Sequence, residues 1–213
     1  MIKRILIPTA IAIFALVITA CEPAVKAPPV PDRVAMAGDS ILWQAALYGG
    51  DLHGADLDGK LYPGWEFRQP LPRVIQDVAG AETSPDVLVI ALGQNARDVY
   101  GSIEWSELTS LAFSPHDDAC VVLVKPHIGS SNPTYVDNLT RVRNDMQSIA
   151  NSRPNTPIVD VTDLYTAHPE HLAADGVHLN VPANWNDWIL NPISIPAAID
   201  YANLIWSGVE QCG

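Results

Sequence analysis

The chain has 213 residues, 48% of them hydrophobic, and carries 12 basic and 24 acidic side chains for a net charge of −12. This charge excludes nucleic acid and anionic lipid surfaces as favourable partners, because both repel a strongly acidic protein. Once a short N-terminal segment is set aside, the length suits one domain with a substantial core rather than two.

The first 20 residues are typical of a secretory signal peptide. Lys3 and Arg4 precede an apolar stretch of about 15 residues, which is short for a membrane span, although an anchor that keeps its helix is the alternative. The ending "ITAC" resembles the bacterial lipobox, which implies a lipid on Cys21 and a location outside the cytoplasm, in the bacterial cell envelope. Removing Lys3 and Arg4 leaves ten basic and 24 acidic residues, a net charge of −14.

A proline-rich tether at 21–31 and a single domain at 32–213 are predicted to follow. In the domain, apolar runs that are continuous rather than alternating predict strands buried on both faces of a sheet, at 33–38, 86–93, 120–125 and 157–161. Helical patterns lie at 41–49, 68–80, 104–112, 134–152 and 196–208.

The clearest helix is 134–152, because its apolar side chains recur at helical spacing: Val136, Leu139, Val142, Met146, Ile149 and Ala150. Strands that alternate with helices imply right-handed crossovers, so the sequence predicts an α/β fold, a three-layer α/β/α sandwich around a mostly parallel sheet. In such folds the functional residues gather at the carboxyl ends of the strands.

Ser40 follows the first predicted strand and opens the first predicted helix, in "AGDSILW". A serine at this position can serve simply as a helix cap. Whether it has a catalytic role therefore depends on whether other residues of the chain complete a site with it. Asp175 and His178 follow the last strand, and Asn95 follows the strand at 86–93. These residue types suit acyl transfer, with a serine nucleophile, a histidine base, a carboxylate that orients the base and an amide that binds the oxyanion.

Three segments resemble blocks of the SGNH, or GDSL-type, hydrolases: "GDS" at 38–40 the first block, "GQN" at 93–95 the third and "DGVH" at 175–178 the fifth. The order and spacing of these three segments along the chain also agree with those of the family, and the resemblance covers about residues 32–208. The resemblance implies a flavodoxin-like sheet and hydrolysis of esters or thioesters through an acyl-serine, with no cofactor or metal. It also implies an oxyanion hole of Ser40, Asn95 and a second-block glycine, for which Gly64 in "LYPGWEF" is the best match.

Two departures from the family pattern concern the surroundings of the site. Ala96 stands where the third block usually continues with aspartate, and an inserted segment at 179–196 carries Trp185 and Trp188, either as a pocket wall or as cover over the core. His127 follows a strand and lies either in the pocket or in a surface loop. Asp39 is expected to support the turn or cap the helix rather than to act as the triad acid.

The chain has three cysteines, and Cys21 is assigned to the lipobox. Cys120 and Cys212 remain as a pair in an oxidising compartment, which favours a disulfide; two separate thiols are the alternative. A metal site is the rival interpretation of His168, His171, Asp175 and His178. Their spacing matches no metallohydrolase motif that a mechanism supports, so no metal is predicted.

The sequence therefore predicts a monomeric, membrane-tethered, extracytoplasmic serine esterase. Its predicted partners are the membrane, through the lipid on Cys21, and a small-molecule, glycan or lipid ester, with acetyl or short acyl groups on envelope glycans or lipids as candidates. An O-acyltransferase and a non-catalytic envelope lipoprotein of the same fold are the alternatives, and the composition does not choose an acyl chain length.

Overall fold

The computed structural model describes residues 34–48, 60–61, 86–94, 118–180 and 195–213. Their centre is a five-stranded sheet, made of β1 Val34–Gly38, β2 Lys60–Leu61, β3 Val87–Ala91, β4 Cys120–Lys125 and β5 Ile158–Asp160. The strand order is β2-β1-β3-β4-β5, and all four pairings are parallel. The order reverses at β1, so a crevice is expected beyond the carboxyl ends of β1 and β3, where such folds bind ligands.

The described helices are α1 Ser40–Tyr48, α2 Pro133–Ser152, α3 Val161–Ala167 and α4 Pro196–Glu210, with a 3-10 turn at Pro169–His171. α2 packs on β4 and β5, whereas α4 packs on β3, β4 and β5 and also contacts α1 and α3. Every residue of β3 is buried, and β4 is buried as far as Val124. Strands buried on both faces require helices on both faces, which confirms the predicted α/β/α sandwich.

The C-terminal helix is held closely against the sheet. A Cβ atom on Gly208 would lie 2.6 Å from side-chain carbons of both Val122 and Val159, so glycine permits this approach. A disulfide joins Cys120 to Cys212, with 5.7 Å between their Cα atoms. The predicted cysteine pairing is therefore present, and it ties the end of the chain to the first residue of β4.

The predicted elements agree with the described ones to within two residues at their ends, and the main differences concern α2, β5, α3 and β2. Tyr135 replaces Val136 as the first buried side chain of α2, and Ala150 is only half-buried. The strand predicted at 157–161 ends at Asp160, because the Asp160 side chain accepts a hydrogen bond from the backbone N–H of Thr162 and begins α3. α3 and the two-residue β2 were not predicted.

Several predictions fall outside the described residues: the signal peptide, Cys21, the tether, the helices at 68–80 and 104–112, and Trp185 and Trp188. Within the described part of the chain, no helix is both long and apolar enough to cross a membrane.

Candidate active site

Ser40 sits at a sharp turn between β1 and α1. A Cβ atom on Gly38 would lie 2.2 Å from Leu42 Cδ2, so the turn needs glycine at the end of the strand. The Asp39 backbone N–H donates to the Ala91 carbonyl of β3 at 3.2 Å, which joins the turn to the neighbouring strand. Ser40 is therefore the first residue of a helix at the carboxyl edge of the sheet, the position predicted for it.

Ser40, His178 and Asp175 form one chain of hydrogen bonds. Ser40 Oγ lies 3.0 Å from His178 Nε2, and His178 Nδ1 lies 2.6 Å from Asp175 Oδ2. A proton on Nδ1 facing the carboxylate leaves Nε2 with the lone pair that can accept the serine proton. The structure thus brings together the three side chains that the sequence proposes for catalysis, although Ser40 and His178 are 138 residues apart.

A tight turn presents Asp175 and His178 to the serine. Asp175 Oδ1 accepts the backbone N–H groups of Val177 at 2.9 Å and His178 at 3.0 Å, and Gly176 has a φ of +70°. Partial burial opposes ionisation of Asp175, but its hydrogen bonds from the His178 side chain and from these N–H groups outweigh that effect and lower its pKa to about 2. The carboxylate is therefore charged at neutral pH.

Asp39 is the second acidic residue near the serine, and its environment differs from that of Asp175. Its side chain is buried, and burial raises its pKa to about 6, although the backbone N–H of Ile41 donates to Oδ1 at 3.0 Å. The bond to Ile41 satisfies a donor in the first turn of α1, so Asp39 supports the turn, as predicted.

The remaining predicted oxyanion groups, Gly64 and Asn95, lie outside the described residues. The residue before Asn95 is fixed firmly: Gln94 donates from Nε2 to the His127 carbonyl at 2.8 Å and accepts the His127 backbone N–H at Oε1, also at 2.8 Å. The Tyr135 hydroxyl donates to the Gln94 carbonyl. The middle residue of "GQN" therefore fastens the end of β3 to the loop after β4, a role that the sequence interpretation missed.

The loop after β4 lies against the triad turn. A Cβ atom on Gly129 would be 2.1 Å from the Gly176 carbonyl oxygen, and one on Gly176 would be 2.7 Å from the Gly129 carbonyl oxygen. The half-buried His127 ring meets Tyr165 edge to face, with 4.9 Å between centroids. Burial, with the charge of Arg143, lowers the pKa of His127. The structure thus places the His127 loop behind the turn that carries His178.

An ion pair between the middle of α2 and the end of β5 holds the same loop. Arg143 donates to both carboxylate oxygens of Asp160, at 3.0 and 2.5 Å, and to the Pro126 carbonyl at 2.7 Å. Burial acts against ionisation of Asp160, but the bonds from Arg143 prevail and lower its pKa. The carboxyl ends of β4 and β5 are therefore fixed relative to each other.

The four residues considered as a metal site are divided between two places. Asp175 and His178 face Ser40, whereas His168 and His171 lie together with Glu170, at the 3-10 turn after α3. This arrangement therefore does not favour a single ion bound by all four of these residues.

No protein-family model matches the sequence, and no curated protein is significantly similar to it. Among solved structures, the C-terminal catalytic domain of peptidoglycan O-acetyltransferase A from Streptococcus pneumoniae matches with 19% identity over 86% of this chain and 96% of its own, at a TM-score of 0.59. The lipase Lip_vut3 from a goat rumen metagenome matches with 14% identity over 83% of this chain and 96% of its own, at a TM-score of 0.52.

The acetyl xylan esterase AlAXEase also matches, with 18% identity over 82% of this chain and 98% of its own, at a TM-score of 0.48. Matches at such low identity speak to the fold. The parallel sheet with helices on both of its faces agrees with the two matches whose TM-scores exceed 0.5, and the chain has the α/β/α fold that its resemblance to the SGNH-type hydrolases predicts.

Proposed function

We propose that this protein is a serine esterase that hydrolyses carboxylic esters through an acyl-serine intermediate. One observation carries the proposal: the unbroken hydrogen-bond chain from Ser40 Oγ through the His178 ring to Asp175. It lies at the edge of the sheet where α/β enzymes bind substrates. The catalytic domain and the lipase that share this fold act on acyl groups by their names, which supports the same class of reaction here.

In the proposed reaction, His178 Nε2 takes the proton of Ser40 Oγ as the oxygen attacks the ester carbonyl. The ionised Asp175 holds Nδ1–H in place and stabilises the imidazolium. His178 then gives the proton to the departing alcohol, which leaves an acyl group on Ser40. Water repeats these steps with His178 as the base, releases the acid and restores the serine.

The negative oxygen of each tetrahedral intermediate needs fixed donors. We assign this role to the Ser40 and Gly64 backbone N–H groups and the Asn95 side-chain amide. The position of Ser40 at the first turn of α1 supports the first of these, because N–H groups there point towards a bound anion. The anchoring of Gln94 supports the third, because it fixes the backbone one residue before Asn95.

We further propose that the mature protein is monomeric and tethered by a lipid on Cys21 to the outer side of a bacterial membrane, where it acts on acetyl or short acyl esters of envelope glycans or lipids. The signal-like N-terminus supports this location, as does the Cys120–Cys212 disulfide, which is typical of oxidising compartments. No cofactor is required by the proposed chemistry.

An O-acyltransferase is the second candidate. It is favoured by the similarity to the peptidoglycan O-acetyltransferase catalytic domain, which reaches a TM-score of 0.59. Both activities share the acyl-serine and differ in whether water or a sugar hydroxyl accepts the acyl group. Acetate release from an acetylated glycan, measured with and without a sugar acceptor, distinguishes them: transfer lowers acetate release and gives an acetylated acceptor.

The test of the esterase is turnover of p-nitrophenyl esters from acetate to palmitate by the mature chain. Ser40→Ala is expected to abolish turnover and labelling by a fluorophosphonate probe. Ser148→Ala, which changes an exposed serine on α2, is the matched control and should keep both. Turnover retained in Ser40→Ala would overturn the assignment, and absence of labelling in the unaltered protein would favour the non-catalytic alternative.

A further inference from the structure

Three side chains of types that can bind metals lie together beside the turn that carries Asp175 and His178 but outside it. His168 precedes the 3-10 turn Pro169–His171, and Glu170 and His171 lie within it. Their donor atoms all lie within 4.8 Å of one another, with His168 Nδ1 3.2 Å and His171 Nε2 3.9 Å from Glu170 Oε1. None of the three belongs to the proposed catalytic machinery.

His171 has the surroundings of a metal ligand held by a second carboxylate. Its side chain is only 9% exposed, and Nδ1 is buried with no hydrogen-bond partner in the described part of the chain. Asp200 Oδ2 on α4 lies 3.6 Å from Nδ1. Histidine ligands commonly donate their second ring N–H to a carboxylate, which fixes the tautomer. A proton on Nδ1 facing Asp200 leaves the Nε2 lone pair free on the side of Glu170.

The donor separations can be compared with those around a bound ion. Zinc lies about 2.0–2.2 Å from nitrogen and oxygen ligands, so neighbouring ligand atoms are roughly 3–4 Å apart. The separations of 3.2 and 3.9 Å fall in this range. The rings of His168 and His171 are stacked, 4.8 Å apart and 16° from parallel, so the His168 ring must turn for both lone pairs to converge. Its side chain is 48% exposed and can make that turn.

We propose that His168, Glu170 and His171 bind one divalent transition-metal ion, with Zn²⁺ favoured by the two imidazoles and one carboxylate. Asp200 orients His171, and water completes the coordination. The site departs from the expectation of no metal and is structural, not catalytic.

The bound ion would stabilise the segment that carries His178. The backbone N–H of Asn180 donates to the His171 carbonyl at 2.8 Å, and the backbone N–H of Ala173 donates to the His178 carbonyl at 2.8 Å. The Asn180 side chain also donates to the Glu170 carbonyl at 2.9 Å. Metal bound at the 3-10 turn therefore fixes one partner of this short antiparallel pairing, and His178 lies on the other.

The test is calorimetric titration of the mature chain, purified without a polyhistidine tag, with ZnCl₂ up to about 1 mM, together with thermal unfolding. One equivalent is expected to bind, and Zn²⁺ at about 100 times its Kd should raise Tm by roughly 5–10 °C. His168→Ala and Glu170→Gln, both at exposed positions, should weaken binding at least about tenfold. Asp163→Asn, an exposed acidic residue on α3, is the control and should bind as the unaltered chain does.

Two further variants separate this site from the triad. Ser40→Ala should bind Zn²⁺ unchanged, so the measurement does not depend on esterase activity, and His178→Ala should also bind it. No binding up to about 1 mM would overturn the proposal. Unchanged affinity in both His168→Ala and Glu170→Gln would also overturn it, as would loss of binding in His178→Ala alone.

Discussion

Gly129 provides the sharpest test of how the catalytic turn is placed. In Gly129→Ala the new Cβ would lie 2.1 Å from the Gly176 carbonyl oxygen, whereas ordinary contacts begin near 3.4 Å. The triad turn or the loop must therefore move by about 1 Å. If the turn moves away from the loop, the Ser40 Oγ to His178 Nε2 distance grows from 3.0 Å to roughly 4 Å, beyond hydrogen-bond range.

A displacement of about 1 Å costs on the order of 100-fold in rate, or about 2.7 kcal/mol of transition-state stabilisation. We expect kcat for p-nitrophenyl acetate to fall by about this factor in Gly129→Ala, with a smaller change in KM. The rate of fluorophosphonate labelling should fall in parallel, because it depends on the same Ser40–His178 pair.

Ser131→Ala, an exposed substitution two residues further along the same loop, is the control for general loop effects. Thermal unfolding of both variants separates misplacement from loss of the folded state. A Gly129→Ala protein with unchanged Tm and kcat within about threefold of the unaltered enzyme would refute the reasoning, because the loop would then yield without moving the triad.

Other predictions concern stability. The pKa of Asp39 is raised from 3.8 to about 6, so the folded state binds that proton more tightly and the free energy of unfolding falls as pH rises from about 4 to 6. This fall is about 3 kcal/mol. Denaturant unfolding at several pH values should show that it is absent in Asp39→Asn. Replacing both Cys120 and Cys212 with serine should lower the free energy of unfolding by about 2–4 kcal/mol relative to the oxidised unaltered chain, and the reduced unaltered chain should match the double variant. Gln94→Leu leaves the backbone N–H and carbonyl of His127 unpaired and should cost about 2–3 kcal/mol in urea unfolding.

The sheet could be predicted from sequence because its strands are buried on both faces. β1, β3, β4 and β5 are short unbroken apolar runs, and their described limits lie within two residues of the predicted ones. β2 has two residues and offers no such run. α3 begins directly after β5 with no turn residues between them, since Asp160 both ends the strand and caps the helix. The sequence pattern included Asp160 and Val161 in the predicted strand at 157–161, so the start of α3 was missed.

The meeting of Ser40, His178 and Asp175 could also be predicted, because the chemistry proposed for them is visible in the residue types and each follows a strand. The groups that place them were not visible, since they act through backbone atoms far away in the chain. Gln94 binds the main chain of His127, 33 residues later, and Gly129 touches the main chain of Gly176. No sequence pattern around Gln94 or Gly129 predicts these contacts.

The division between reactive and supporting groups follows from what each needs. His178 and Asp175 have side chains that are 33% and 50% exposed, and the proposed reaction needs this exposure for substrate and water to reach them. Exposed side chains on a turn keep an accurate position only if a more rigid part of the protein holds the turn in place. That accuracy comes from the loop after β4, which the buried Gln94 and the Arg143–Asp160 pair hold to the sheet and against which Gly176 packs. Substitutions in that loop should therefore lower kcat with little change in the free energy of unfolding, whereas substitutions of Gln94 should lower both quantities.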